Sequence, residues 1–169
     1  MNLKNFVKEG QKLPLHGVGP YIVYGMVMVS ILGIIFFGYV FKIGILEEPW
    51  LWPFRIAGIA LILLGLYVWY KGALGSGMDE NISDNKLKTD GIYAWVRNPM
   101  YSGIWILNIG IILMWHNAWL LLAPAINWLI MTVALMNTEE KWLLKLYGEE
   151  YMQYKKRVNR CIPFLPRRR

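Results

Sequence analysis

Residues 100–136 read MYSGIWILNIGIILMWHNAWLLLAPAINWLIMTVALM, and they contain no Asp, Glu, Lys or Arg. A helix needs roughly 20 apolar residues to cross a bilayer core about 30 Å thick. This uncharged stretch is therefore long enough for two crossings, and the polar pair His116 and Asn117 divides it near the middle. The sequence predicts a helical hairpin with spans at residues 100–115 and 118–136.

Two further apolar runs lie upstream. Residues 21–41 carry no charge and follow Pro20, which a helix tolerates in its first turn. Residues 52–70 are flanked by aromatic residues of the kind that collect at membrane interfaces. The chain of 169 residues is 56% hydrophobic and 17% charged, outside the usual range of soluble proteins. We expect an all-α polytopic membrane protein with four transmembrane helices in a single domain, residues 1–169.

The basic residues are distributed unevenly. Of the 18 lysines and arginines, all but Lys42 and Arg55 fall before the first span, between the second and third spans, or in the tail. Four spans place these three segments on one side, whereas three or five would scatter the charge, so the positive-inside rule predicts cytoplasmic N- and C-termini. The net charge of +7 is thus an orientation signal and a contact for anionic lipids, not a nucleic-acid-binding surface.

We expect the membrane to be a cell inner membrane or the endoplasmic reticulum, depending on the source organism. The first apolar run is too long for a signal-peptide core and is expected to be a retained span. The single cysteine, Cys161, excludes an intrachain disulfide, and with only two histidines no zinc cluster or other metal site is predicted.

The tail predicts an amphipathic cytoplasmic helix. Apolar and aromatic residues recur there every three or four positions, with lysines between them: Trp142, Leu143, Leu146, Tyr147, Tyr151 and Tyr154. Asn137 ahead of Thr138 and two glutamates resembles an N-terminal cap; alternatively, the fourth span simply continues.

A candidate site lies at the cytoplasmic end of the third span. Arg97 precedes the span, Tyr101 follows one turn inside, and Gly103 leaves room for close approach. Polar groups at this depth need partners, and the antiparallel hairpin brings Glu139 and Glu140 to the same end. Such a cavity would suit a zwitterionic, aromatic ligand. The simpler alternative is a snorkelling cation beside a helix-end anion.

Two segments carry a resemblance to a known family. GIYAWVRNPMYSG (91–103) and EEKWLLKLYGEEYMQYKKRV (139–158) resemble the integral-membrane methyltransferase superfamily of isoprenylcysteine carboxyl methyltransferases and phospholipid N-methyltransferases. The pattern there is G-x-Y-x-x-x-R-H-P-x-Y, two spans, a glutamate pair, then F-G-x-x-Y-x-x-Y with a basic stretch. The resemblance covers residues 85–164.

The resemblance implies S-adenosylmethionine as cofactor, bound by the cytoplasmic segments 85–103 and 138–164. Carried over residue by residue, it assigns cofactor binding to Asn85, Lys86, Leu87, Lys88, Tyr93, Asn98, Pro99, Met100, Tyr101 and Glu139. Arg97 and Glu140 are the candidate catalytic residues.

Two positions depart from the family pattern. Asn98 replaces the usual histidine, which keeps a hydrogen-bonding side chain but removes a titratable one. Leu135 stands where prenylcysteine enzymes carry a substrate-contacting arginine, so the tail residues Arg157 and Arg160 are the candidate substitutes.

The implied function is methyl transfer to a lipid-like acceptor at the cytoplasmic face, with an isoprenylcysteine-type carboxylate the most similar substrate. A carboxylate acceptor needs no base, whereas an amine must be neutral, and Glu140 could take its proton. The alternatives are a phospholipid N-methyltransferase, an NADPH-dependent membrane sterol-type reductase and a non-catalytic membrane scaffold. The expected partners are membrane lipids and a lipid-like small molecule, and the oligomeric state is open.

Overall fold

The computed structural model describes residues 18–76 and 86–164, and within them the regular structure is helical. Helix α1 (Gly19–Gly33) continues as a π-helix (Ile34–Val40), and α2 is Leu51–Ala73. A 3₁₀ turn (Gly91–Ala94) precedes α3 (Pro99–Met114); a second (Trp119–Leu122) leads into α4 (Ala123–Asn137), and α5 is Glu139–Arg157. Asn85, with the N-terminal lysines and the last residues of the tail, lies outside the described residues.

Three helical segments are long and apolar enough to cross a membrane: Gly19–Val40, Leu51–Ala73 and Trp119–Asn137. They correspond to three of the spans expected from the sequence. The fourth, α3, begins and ends within one residue of its predicted bounds but has 16 residues, a length of about 24 Å. The all-helical membrane architecture is confirmed, and α3 is shorter than a standard span.

Helices α2 and α3 pack antiparallel with their backbones in direct contact, and glycines permit this. A Cβ atom on Gly65 would lie 2.5 Å from the backbone N of Leu107, and one on Gly103 would lie 2.5 Å from the backbone N of Trp69. At the site end, a Cβ on Gly72 would lie 2.9 Å from Pro99. Small residues of this kind bring helices together in lipid, where no hydrophobic force does so. The start of α3 is therefore fixed against the end of α2.

A buried polar cluster joins α1 to the α3–α4 hairpin. The Ser30 hydroxyl donates to Asn108 Oδ1 at 2.9 Å, and Asn127 Nδ2 donates to the same oxygen at 3.0 Å. All three side chains are buried. Because lipid offers no hydrogen bonds, these groups pair with one another and set the position of α1, whereas Asn127 Oδ1 is buried without a hydrogen-bond partner among the described residues. The sequence did not predict that Asn108 and Asn127 would form a buried hydrogen-bonded cluster.

The tail helix is separate from the fourth span. Thr138 (φ −125°, ψ −87°) interrupts the helix between α4 and α5, so the span does not continue. The expected N-terminal cap by Asn137 is wrong: its Nδ2 donates back to the Val133 carbonyl. Thr138 holds the cap position, but its hydroxyl donates to the Ala134 carbonyl of α4 and does not cap α5. Helix α5 is itself broken at Gly148, where φ is 52° and ψ is −121°.

Candidate active site

The start of α3, the start of α5 and the chain after α5 meet at one end of the bundle. The 3₁₀ turn that leads to α3 is anchored on both sides through Tyr93. Its hydroxyl donates to the Gly72 carbonyl at 3.3 Å, and its own carbonyl accepts from the Tyr154 hydroxyl at 2.6 Å. Tyr93 is buried, and its surroundings raise the pKa of its hydroxyl, chiefly by burial and also by the nearby charge of Glu139. The anchored turn carries the chain into Arg97.

Arg97 forms a buried ion pair with Glu140. Its guanidinium lies 3.2 Å from the Glu140 carboxylate, and the two side chains are only 6% and 5% exposed. Arg97 also donates to the Tyr151 hydroxyl at 3.0 Å. Its Nε is buried without a hydrogen-bond partner among the described residues. The pairing of Arg97 with a tail glutamate agrees with the expectation from the sequence, but the partner is Glu140 and not Glu139, which the predicted hairpin places opposite Arg97.

Two more cations surround the same carboxylate. Lys155 Nζ lies 3.0 Å from Glu140, and the Arg160 guanidinium binds Glu140 through two nitrogens. Burial would raise the pKa of Glu140, but hydrogen bonds from Arg160 and Lys155 and the charge of Arg97 together lower it to about 2. We call these four residues the charge cluster. With three cations and one carboxylate, it carries a net positive charge.

The break at Gly148 makes this cluster possible. Glu140 and Lys155 belong to the same helix, α5, and on a straight helix they would be about 22 Å apart. Their side chains meet at 3.0 Å because the chain folds back at Gly148. Lys155 was not predicted from the sequence. A signal for it exists, since Lys155 is one turn after Tyr151 and so shares a face with an aromatic of the amphipathic pattern.

Glu139 lies in a different environment from its neighbour. Its carboxylate accepts a hydrogen bond of 2.5 Å from the Tyr101 hydroxyl. Glu139 takes part in no ion pair among the described residues. Burial raises the pKa of Glu139, and the Tyr101 hydrogen bond only partly offsets this effect. Tyr101 is itself held closely, because a Cβ on Gly19 would lie 2.9 Å from its hydroxyl.

The chain after α5 runs back under the site. We call residues 158–164 the C-terminal strap. The Arg97 N–H donates to the Asn159 carbonyl at 2.8 Å, and the Phe164 N–H donates to the Trp95 carbonyl at 3.1 Å. Between these points the Cys161 side chain packs into the bundle core.

The core residues around Cys161 come from both sides of the bundle: Ile22 and Met26 of α1, and Met131 and Leu135 of α4. This packing of Cys161 places its neighbour Arg160 close to Glu140 in the charge cluster. Leu135, in contrast, is fully buried in apolar surroundings.

The other residues assigned by resemblance fall into two groups. Some hold the site together: Leu87 packs on the Tyr151–Tyr154 cluster, Lys88 pairs with Asp90 at 2.9 Å, and Pro99 is buried against Gly72. Others are more accessible, with Met100 half-buried and Lys86 exposed.

Two further assigned residues make contacts of their own. Asn98 Nδ2 donates to the Arg160 carbonyl at 3.0 Å. Arg157 is exposed and donates to the Gln153 carbonyl of its own helix at 3.4 Å, so the structure does not bring it to the charge cluster.

A helical bundle with three span-length apolar helices and a charge cluster at one end defines an integral membrane protein with a polar site at one end of its bundle. The phospholipid methyltransferase family model matches residues 54–150, and the chain belongs to this family. The resemblance found in the two sequence motifs is confirmed. The match runs from α2 into α5 and leaves Lys155 and Arg160 outside it.

Curated relatives of the chain include three named protein-S-isoprenylcysteine O-methyltransferase. The chain is 30% identical over 121 residues to protein-S-isoprenylcysteine O-methyltransferase of Schizosaccharomyces pombe, covering 67% of this chain and 51% of that protein. It is 29% identical over 130 residues to the Tribolium castaneum protein of that name, covering 72% and 45%.

A third relative, protein-S-isoprenylcysteine O-methyltransferase B of Arabidopsis thaliana, is 27% identical over 133 residues, covering 75% of this chain and 66% of the relative. The chain spans about half the length of the first two relatives. No solved structure matches the chain.

Proposed function

We propose that the protein is an S-adenosylmethionine-dependent methyltransferase that methylates a lipid-like acceptor at the cytoplasmic membrane face. The observation that carries the proposal is the arrangement of the two adjacent glutamates in a chain of this family. Glu140 lies in the cationic charge cluster, and Glu139 beside it is bound to a neutral hydroxyl. One end of the bundle thus offers binding groups for both an anion and a cation.

The proposed topology has four crossings. Helix α3 is short, but it packs along α2 from Gly58, next to Gly110, to Gly72, next to Pro99, and so lies beside most of a helix that is itself long enough to cross a membrane. Among the described residues, all lysines and arginines except Lys42 and Arg55 then lie at the end that holds the charge cluster, which the positive-inside rule makes cytoplasmic. The amphipathic helix α5 lies at this end.

The residues at the site fit the proposed cofactor. S-adenosylmethionine carries a carboxylate, an ammonium group and a sulfonium, and it supplies a methyl group bonded to positively charged sulfur. Arg97 Nε is a buried donor with no partner among the described residues, and a buried donor of this kind is costly unless something accepts from it. Glu139 is a half-buried carboxylate whose hydrogen bond comes from a neutral hydroxyl. Together they suit a zwitterion.

The proposed cofactor-binding residues are those of the segment before and at the start of α3, namely Lys86, Leu87, Lys88, Tyr93, Pro99, Met100 and Tyr101, together with Glu139. Excluding water and orienting the reactants are the main contributions that such a site makes.

An isoprenylcysteine-type carboxylate is the first candidate acceptor. The names of the relatives support it, and so does the net positive charge cluster. Leu135 cannot supply the cation that the resemblance leads us to expect there. Arg160 lies next to Cys161, which packs on Leu135, and we propose that it binds the acceptor carboxylate instead. No proton acceptor is needed for this substrate.

The second candidate acceptor is a phospholipid amine, and the contrast between the two glutamates favours Glu139 as its proton acceptor. Glu140, whose pKa is lowered to about 2 by its cations, is a weak base. Glu139 has a raised pKa, and its carboxylate is in no ion pair among the described residues, so it can accept a proton. Adjacent carboxylates with opposite pKa shifts often divide the roles of base and permanent anion.

The test is methyl transfer in vesicles from methyl-labelled S-adenosylmethionine to an S-farnesylcysteine derivative with a free carboxylate, and in parallel to phosphatidylethanolamine. Methyl esters release volatile methanol in base and N-methyl groups do not, so the product identifies the acceptor. We expect labelled ester, reduced at least tenfold in Glu139→Ala and in Arg97→Gln, with Asn137→Ala as the matched surface control. Full activity in both site variants would overturn the site assignment, and absence of any labelled lipid would overturn the function.

A further inference from the structure

The C-terminal strap is attached to the start of α3 mainly at one carbonyl. The Arg160 carbonyl oxygen accepts two hydrogen bonds, both from Asn98: one from its backbone N–H at 3.2 Å and one from its side-chain Nδ2 at 3.0 Å. The neighbouring Arg97 N–H binds the Asn159 carbonyl. Asn98 thus fixes the backbone of Arg160, and the side chain of Arg160 reaches Glu140.

This backbone attachment matters because arginine is a long side chain. Holding a guanidinium in one geometry costs rotamer entropy, and a mobile backbone would add to that cost. Arg160 binds Glu140 through two nitrogens, which requires the backbone to be at the correct distance and angle. The Asn98 side chain holds the Arg160 backbone in that position through its hydrogen bond to the Arg160 carbonyl.

We propose that Asn98 is a positioning residue that holds the C-terminal strap and, through it, places Arg160 at the charge cluster. The proposal rests on the proposed function for the role of Arg160 toward the acceptor. It differs from the role implied by the resemblance, in which the residue at this position contacts the cofactor. The side-chain amide of Asn98 is the donor to the strap, and a histidine at this position would retain an N–H able to do the same.

Cys161 gives a direct measure of whether the strap is docked. It is the only cysteine of the chain, it follows Arg160, and it is 2% exposed in the core between α1 and α4. Burial raises the pKa of its thiol to about 12. Alkylation therefore requires the strap to leave the core, and its rate reports the fraction of time that the strap is undocked.

The experiment compares wild-type protein in vesicles with two variants. Asn98→Asp removes the side-chain donor, leaves the backbone N–H, and places a negative charge beside the Arg160 carbonyl, whereas Asn98→His keeps a side-chain donor. Asn137→Asp is the control, because Asn137 makes a similar bond to a carbonyl on an exposed face. Without cofactor or acceptor, we expect Cys161 alkylation to be about tenfold faster in Asn98→Asp, the ratio for loss of one hydrogen bond near a charged group. Asn98→His and the control should stay within about twofold of wild type.

The kinetic arm separates positioning from folding. With the farnesylcysteine carboxylate, Asn98→Asp should raise KM about tenfold and leave kcat within about threefold, as expected for loss of uniform binding of the acceptor. Asn98→His should restore KM. If Asn98→Asp does not accumulate in the membrane, Asn98→Ala takes its place in both arms.

Two results would overturn the proposal. One is equal Cys161 alkylation in Asn98→Asp and Asn137→Asp; the other is faster alkylation with an unchanged KM for the acceptor. Absence of methyl transfer in the wild type would overturn the proposed function instead, and the alkylation arm would still decide whether Asn98 holds the strap.

Discussion

The Arg97 guanidinium lies 3.2 Å from the Glu140 carboxylate, and the bulk of the protein hides both groups from solvent. Arg97 precedes α3 and Glu140 lies in the first turn of α5, so the pair ties together the two ends of the α3–α4 hairpin. A buried ion pair of this kind adds little net stability over an apolar pair, but removing one partner leaves an uncompensated charge. The expected consequences can be measured.

Glu140→Gln should destabilise the protein by about 3 kcal/mol, because it leaves Arg97 buried without its counter-charge. Thermal unfolding of the protein in detergent, followed by circular dichroism, measures the effect. Glu149→Gln is the matched control, since Glu149 is exposed on the same helix. Equal melting temperatures for the two variants would show that the pair contributes nothing.

Stability should fall at low pH because of the same carboxylate. The pKa of Glu140 is lowered from 4.5 to about 2 in the folded protein by its cations, despite the opposing effect of burial. Its contribution is therefore present above pH 4.5 and is lost as the pH falls toward about 2. Melting temperatures of wild type and Glu140→Gln, measured across this window, should converge as the pH is lowered. Parallel curves would contradict the assigned pKa.

Gly148→Ala should disrupt the charge cluster without touching any of its members. Gly148 has a φ of 52° and a ψ of −121°, a conformation that side-chain-bearing residues rarely adopt, although no neighbouring atom would clash. The strain is worth about 1–3 kcal/mol and opposes the fold-back that brings Lys155 to Glu140. Methyl transfer and melting temperature should both decrease, whereas Gly75→Ala, at an exposed position with ordinary contacts, should change neither.

Gly65→Ala should separate α2 from α3. The added Cβ would lie 2.5 Å from one backbone atom and 2.6 Å from another, and backbone cannot move aside as a flexible side chain can. We expect a loss of about 2–3 kcal/mol in unfolding free energy. Gly38→Ala is the control, because the nearest atom to its Cβ would be 4.0 Å away. A Gly65→Ala protein as stable as Gly38→Ala would refute the close helix contact.

The positions of the spans could be predicted because hydropathy is read locally along the chain. Residues 100–115 were expected as a span and α3 is Pro99–Met114. The length of α3, below that of a standard span, also follows from local features, since Pro99 begins the helix and the turn at His116 ends it. Such features need no knowledge of distant residues.

The site was only partly predictable. The motifs indicated that Arg97 would meet a tail glutamate, and they pointed to Glu139, whereas the structure pairs Arg97 with Glu140. Which one does so depends on side-chain direction after the interruption at Thr138. Lys155 was missed because a straight helix keeps it far from Glu140, and Arg157 was included because neighbouring residues cannot be told apart until the strap's path is known.

The sequence by itself determined that this is a membrane protein of helices, how its charges are sorted, and which family its motifs match. These are properties of composition and short-range pattern, and the bilayer enforces them on any chain that enters it. Only the tertiary structure decided that Glu140 is surrounded by three cations while Glu139 is bound to Tyr101, and that Asn98 holds the strap. Those relationships depend on one left-handed glycine and on backbone hydrogen bonds between distant segments, which no local pattern encodes.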